Sequence, residues 1–162
     1  MTRDDETTDD RSRDHEMPPP TGGPLDGLLW ALRRAELAVQ GLKGQRLRSL
    51  GMAAAHYSLL VLVRDVPGLT GAEAARRLNV TPQAVASLVA RLEGRGQLER
   101  RPHPRHGHVQ ELHLTDAGRE LLASADLVVI DIERRLAEHL GGADAVQLTA
   151  LLGRVVDAVH EP

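Results

Sequence analysis

Cysteine is absent from this chain of 162 residues, which excludes disulfides, thiolate metal ligands and nucleophilic thiols together. Aromatic residues amount to 1%, with Trp30, Tyr57 and no phenylalanine, so the stacking platforms that hold single-stranded nucleic acid are missing. Lysine is confined to Lys43, and arginine carries the positive charge. No apolar run approaches the ~18 residues of a membrane helix, and the acidic start lacks the basic-then-apolar layout of a signal peptide. A cytoplasmic protein without a membrane partner is expected. Enzyme signatures are missing too: there is no HExxH, GxSxG, Walker loop or glycine-rich dinucleotide turn. No catalytic residue, metal or cofactor is therefore expected.

What is there centres on residues 69–115, which read as helix, turn, helix and wing. Thr70 followed three residues later by Glu73 forms a capping box for the first helix, whose inward face is Ala74, Ala75 and Leu78. Asn79-Val80 turns the chain. Thr81-Pro82 then opens a second helix, threonine as N-cap and proline at the first helical position. Val85, Leu88, Val89 and Leu92 recur at helical spacing and pack inward, leaving Gln83, Ser87 and Arg91 in an outward row. Such a row suits a major groove: small residues allow close approach, glutamine pairs with adenine, and arginine reaches phosphate or guanine.

Gly94 and Gly96 end that helix, and the runs from Leu98 and from Val109 to Leu114 predict a hairpin. Leu112 and Leu114 are expected inward, Glu111 and His113 outward, with Gly107 supplying a positive φ in the loop. Between residues 76 and 108 stand Arg76, Arg77, Arg91, Arg95, Arg100, Arg101 and Arg105 against only Glu93 and Glu99. A chain with net charge −3 has thus concentrated positive charge on one module, the footprint of phosphate binding.

These residues resemble the winged helix-turn-helix of the MarR family of bacterial transcription regulators. The likeness is carried by Leu69-Thr70-Gly71-Ala72-Glu73-Ala74-Ala75, by Leu88-Val89-Ala90-Arg91-Leu92-Glu93-Gly94-Arg95-Gly96, and by Leu114-Thr115-Asp116-Ala117-Gly118-Arg119. It implies a mainly α fold with a small β wing and helical dimerisation arms, acting on double-stranded DNA as a homodimer, as a repressor. Two positions depart from the family pattern. The wing reads His106-Gly107-His108 where Asp-Arg-Arg is usual, and Ala84 and Ser87 replace polar residues of the reading helix. The expected DNA contacts are Thr81, Gln83, Ala84, Ser87 and Arg91 on the helix, Arg95 and Arg101 beside it, and Arg105, His106 and His108 on the wing.

The rest of the chain fits around that module. Residues 1–23 are charged and proline-rich and are expected to be a disordered acidic tail. From Pro24 to residue 50, Leu25, Leu28, Leu29, Leu32, Ala35, Val39 and Leu42 form an apolar stripe, a dimerisation helix. The DNA-binding domain spans 51–114 and begins with a helix from Met52 to Val66, in which Tyr57, Leu60 and Val61 point inward, with Leu59 a further candidate for that face. Over 115–162, Thr115-Asp116 caps a long helix to about Leu140, Gly141-Gly142 breaks it, and a last helix runs from about Ala143 to His160. Their apolar faces need a partner, and a two-fold dimer is the economical one.

The resemblance also implies a crevice for phenolic or other aromatic effectors, and Trp30, Arg34, His56 and Tyr57 are the residues expected near it. Other readings remain open at this point. The histidines at 103, 106, 108 and 113 offer zinc-binding imidazoles, although no carboxylate or cysteine adjoins them, or a wing that gains charge as pH falls. A winged helix that contacts only protein is a further reading.

Overall fold

The computed structural model describes residue 23 and residues 26–160. Apart from Gly23, the tail expected to be disordered lies outside the described residues, as do Pro24 and Leu25. The described chain runs α1 (Leu28–Leu47), a 3-10 turn (Arg48–Leu50), α2 (Ala54–Asp65), α3 (Gly71–Leu78), α4 (Pro82–Gly94), β1 (Leu98–Pro102), β2 (Gln110–Leu114), α5 (Asp116–Leu140) and α6 (Gly142–His160). It is mainly helical with one antiparallel hairpin, the class that the sequence predicts. The chain divides after Ala38 into two units, and each is described by itself.

In the first unit, the opening turns of α1 expose Leu28, Leu29, Trp30 and Leu37. The second unit holds the core. Leu47, Leu59, Leu60, Leu69, Val85, Val89, Leu92 and Leu122 are its largest fully buried side chains, each such burial contributing about 1.5–3 kcal/mol relative to exposure. Leu59 belongs inside with Leu60, while Tyr57 and Val61 are only half-buried. α2 is shorter than its pattern predicts, because Ala53 is its extended N-cap and Val66, also extended, ends it before Pro67-Gly68.

The turn between α3 and α4 rests on Asn79, whose φ of 51° places it in the left-handed region that asparagine tolerates. Thr81 caps α4, its Oγ1 accepting from the Ala84 N–H at 3.2 Å. The box predicted at Thr70 forms by half. Thr70 Oγ1 accepts from the Glu73 N–H, but the Glu73 carboxylate turns to Arg76 and Arg77, where two guanidinium groups outbid one backbone N–H.

The hairpin pairs Leu98 with Leu114, Arg100 with Leu112 and Pro102 with Gln110. It is tied to the helices, since the Leu112 N–H donates to the Leu69 carbonyl at 2.8 Å and Thr70 forms an isolated bridge with Glu111. Glu111, expected outward, is consequently 12% exposed. Gly107 does not take the predicted positive φ. The loop is long enough to reverse through successive backbone bonds, from His106 to the His103 carbonyl and from Val109 to the His106 carbonyl.

After the hairpin, Thr115 does three things at once. Its Oγ1 accepts from the Gly118 N–H at 3.0 Å and donates to the Gly96 carbonyl at 2.6 Å, and its own N–H reaches the Gln97 carbonyl. The start of α5 is thereby fixed to the end of α4. Further along, Leu127, Ile130, Leu136 and Leu140 are exposed on α5, as are Val146, Leu148, Leu151, Leu152 and Val159 on α6.

Candidate nucleic-acid interface

α4 is two-faced as its spacing requires. Val85, Val89 and Leu92 are buried and Leu88 is half-buried, while Gln83, Ala84, Ser87 and Arg91 are exposed. The inner face anchors the helix to α2 and α3, so the outer row is held at a fixed height by packing rather than by its own contacts. Among the described residues, neither the Gln83 amide nor the Arg91 guanidinium has a protein partner within bonding distance. An exposed row of free donors on a rigid backing can read base edges.

The arginines around it divide into two groups. Arg76 and Arg77 hold Glu73, Arg100 reaches Glu93 at 3.3 Å, and Arg101 holds Glu99. Arg91, Arg95 and Arg105 have no acid partner among the described residues; Arg95 donates from Nη1 to the Gly51 carbonyl at 3.0 Å. Of the ten predicted DNA contacts, Arg101 alone is thus engaged with a carboxylate, on the hairpin face opposite Arg100. Thr81 stands at the mouth of α4, its hydroxyl committed to the cap.

At the wing, Arg105, His106 and His108 are exposed on the loop between β1 and β2. The His106 ring lies 5.1 Å from that of His103 and 6.2 Å from that of His108. His103 Nδ1 accepts from the N–H groups of Arg105 and His106, which orders the turn leading to the tip. Sequence reasoning left the histidines without a carboxylate, but folding brings Glu111 to two of them. Its Oε2 lies 3.1 Å from His113 Nε2 and its Oε1 lies 3.7 Å from His103 Nε2. An alternating strand puts residues 111 and 113 on one face, a signal already in the sequence; the turn that returns His103 to that face had none. Among the described residues no group of three His, Asp or Glu could hold a metal ion.

The four residues expected at a ligand crevice are distributed over both units. Trp30, 38% exposed, and Arg34 belong to the first. His56 and Tyr57 belong to the second and do not share an environment. His56 is 5% exposed, with Nε2 lacking a partner among the described residues and Nδ1 facing the Ala53 N–H at 3.5 Å. Burial, then the charges of Arg95 and Arg91, lower its pKa from the ordinary 6.5. It lines a cavity of about 600 Å3 with Gly44, Arg48, Met52 and Arg95. Tyr57 instead donates its hydroxyl to Asp126 of α5 at 3.0 Å and lies under Lys43, whose Nζ is 5.7 Å from the ring centroid. Burial, then that hydrogen bond, pushes its pKa up to about 12.

A buried-backed reading helix, a hairpin wing and free arginines at both define the winged helix-turn-helix class of DNA-binding protein. The MarR family profile matches residues 50–107. The HTH-type transcriptional repressor Rv2887 of Mycobacterium tuberculosis is 33% identical over 94 residues, covering 58% of this chain and 68% of that protein. The chain belongs to the MarR family and is a transcription regulator rather than an enzyme. Among solved structures, the transcriptional repressor CouR bound to a 23-mer DNA duplex superposes with a TM-score of 0.76 at 31% identity, covering 81% of this chain and 93% of that one. The Mycobacterium tuberculosis protein Rv2887 in complex with salicylic acid gives 0.68 at 27% identity, covering 80% and 96%. CouR from Rhodococcus jostii RHA1 bound to p-coumaroyl-CoA gives 0.72 at 25%, covering 80% and 92%. No described helix is long and apolar enough to cross a membrane.

Proposed function

We propose that the protein is a cytoplasmic, homodimeric repressor that occupies a pseudo-palindromic operator in double-stranded DNA and leaves it when a small aromatic molecule binds. The observation that carries this reading is the free row Gln83, Ser87 and Arg91 on a helix whose opposite side is buried. Gln83, Ser87 and Arg91 enter the major groove, with Ala84 close enough to the bases to admit the helix. Thr81 and Arg95 face the sugar-phosphate backbone, and Arg101, Arg105, His106 and His108 follow the adjacent strand from the wing. The DNA-bound relative supports this docking mode.

Residues 24–50 and 115–162 make the dimer and 51–114 reads DNA. The support is the apolar surface left bare on α1, α5 and α6: Leu29 is 83% exposed, Leu127 70% and Val146 73%. Side chains of this kind are buried by a second copy in obligate dimers. Two reading helices would then meet half-sites about one DNA turn, ~10 bp, apart. The effector reading assigns Trp30, Arg34, His56 and Tyr57 to an aromatic anion. Support comes from the relatives solved with salicylic acid and p-coumaroyl-CoA, and from the cavity in which His56 lies beside Arg48 and Arg95.

Footprinting the purified protein on the DNA upstream of its own coding region tests the proposal. Two protected half-sites, with affinity that falls steeply with salt, are expected. Weak binding that ignores both sequence and salt would leave a winged helix that contacts only protein.

A further inference from the structure

The turn into the wing tip is held by one imidazole. His103 directly follows β1, and its Nδ1 accepts from the backbone N–H of Arg105 at 3.0 Å and of His106 at 3.2 Å. The His106 N–H is shared with the His103 carbonyl, also at 3.2 Å. Among the described residues the Arg105 N–H has no other acceptor, so the ring alone fixes the backbone from which the exposed Arg105 side chain projects.

An Nδ1 that accepts must carry a lone pair, so the proton of this ring sits on Nε2. That edge turns to Glu111, whose Oε1 is 3.7 Å away and whose Oε2 lies 3.1 Å from His113 Nε2. The carboxylate has little room to move, because a Cβ on Gly68 would stand 3.3 Å from its Oε1. The His106 ring is the other titratable neighbour, its centroid 5.1 Å from that of His103. Across the hairpin from Glu111 stands Arg101, itself held by Glu99. Among the described residues no acid is paired with the Nδ1 edge.

A second proton therefore changes the bonding of this ring as well as its charge. Nδ1–H would face two N–H donors with no acceptor between them, a conflict relieved only when the ring swings away or the turn opens. Glu111, on the opposite edge, gains a stronger hold on the imidazolium at the same moment.

We propose that His103 is a positioning residue for Arg105: in its neutral form, with the proton on Nε2, it holds the wing tip in the conformation that presents Arg105 to DNA, and its protonation releases the tip. A count of charges alone gives the opposite sign, since histidines at 103, 106 and 108 would each make the wing more positive in acid. The meeting of Arg105 with DNA rests on the DNA-binding reading; the hold on its backbone does not.

The experiment has two arms, both on the full chain between about pH 7.5 and about pH 5, the range in which histidine changes charge. Without DNA, nitrogen NMR should show an unprotonated Nδ1 on His103 at the upper pH, and amide relaxation at Arg105 should report loss of order in step with protonation of that ring. His103→Asn should keep Arg105 ordered at every pH, because an asparagine side-chain oxygen accepts from the same backbone N–H groups and does not titrate. His103→Ala should leave it mobile throughout. His106, His108 and His113 are present in all these variants and drop out of the comparison.

With a mixed-sequence duplex at fixed salt, Arg105→Ala should cost about tenfold in affinity at the upper pH, the worth of one charge-assisted contact, and much less at the lower. In the His103→Asn background the cost should be equal at both. An Nδ1 that is protonated at the upper pH, an Arg105 amide that follows one pH course in wild type and His103→Asn, or an Arg105→Ala cost that does not change with pH in the wild-type background would overturn the proposal. A chain that binds no duplex at any pH would overturn the DNA-binding reading, while the amide arm would still establish the hold on the tip.

Discussion

Gly118, in the first turn of α5, lies directly against the backbone carbonyl of Gln97. A Cβ at residue 118 would run into the Gln97 oxygen and stand 2.9 Å from its carbon. Backbone atoms cannot step aside as a flexible side chain can, and Thr115 fastens the same two segments through Gly96 and Gly118. Gly118→Ala should therefore destabilise the fold by about 3 kcal/mol, the upper end of overpacking costs. Urea denaturation measures it; a loss under about 1 kcal/mol would mean that α5 can slide away from the hairpin.

Gln83 and Arg105 should fail in different ways. Gln83→Ala should cost about 1–3 kcal/mol at one base pair and little elsewhere. Arg105→Ala should weaken all duplexes alike and lower the slope of log affinity against log salt by about 1. Gel shifts over a panel of single-base operator variants at several salt concentrations separate the two patterns.

Tyr57 is the sole tyrosine, so phenolate absorbance reports it alone. Burial and the hydrogen bond to Asp126 push its pKa up to about 12. Because the folded value exceeds the ordinary 10.0, stability from this group is whole below pH 10.0 and is lost as pH rises toward 12. Asp126→Asn should bring the titration downward. An unchanged midpoint in that variant would assign the shift to burial alone.

His56 gives the opposite dependence. Burial disfavours its charged form, so the unfolded chain takes up the proton first. The stability it contributes is present above the ordinary value of 6.5 and is lost as pH falls through the lowered folded value. Unfolding free energies between neutral pH and pH 5 should decline, and His56→Gln should flatten the decline. An equal slope in the variant would place the acid sensitivity elsewhere.

Much of this was legible in residues and spacing. The caps at Thr81 and Thr115, the turn at Asn79-Val80 and the two faces of α4 are local events, each decided within one or two turns of chain. What escaped was decided by segments that meet only after folding. Glu111 reads as an outward strand residue, yet the bridge to Thr70 and the return of His103 cover it. The arginine excess reads as a broad basic face, although Glu73 stands three and four residues before Arg76 and Arg77 and Glu99 shares a strand face with Arg101; only the pairing of Arg100 with Glu93 waits for the chain to fold back. His56 and Tyr57 are neighbours in sequence, but successive helical positions point about 100° apart, so one meets Ala53 and the other α5.

Those carboxylate-paired arginines have a further effect. With Arg76, Arg77, Arg100 and Arg101 engaged with the protein's own acids, the counterions released from a duplex on the DNA-binding reading come mainly from contacts by Arg91, Arg95 and Arg105, repeated on both copies of a dimer. The salt slope would then report those three arginines, and discrimination would lie in the handful of base contacts that only the right sequence can complete.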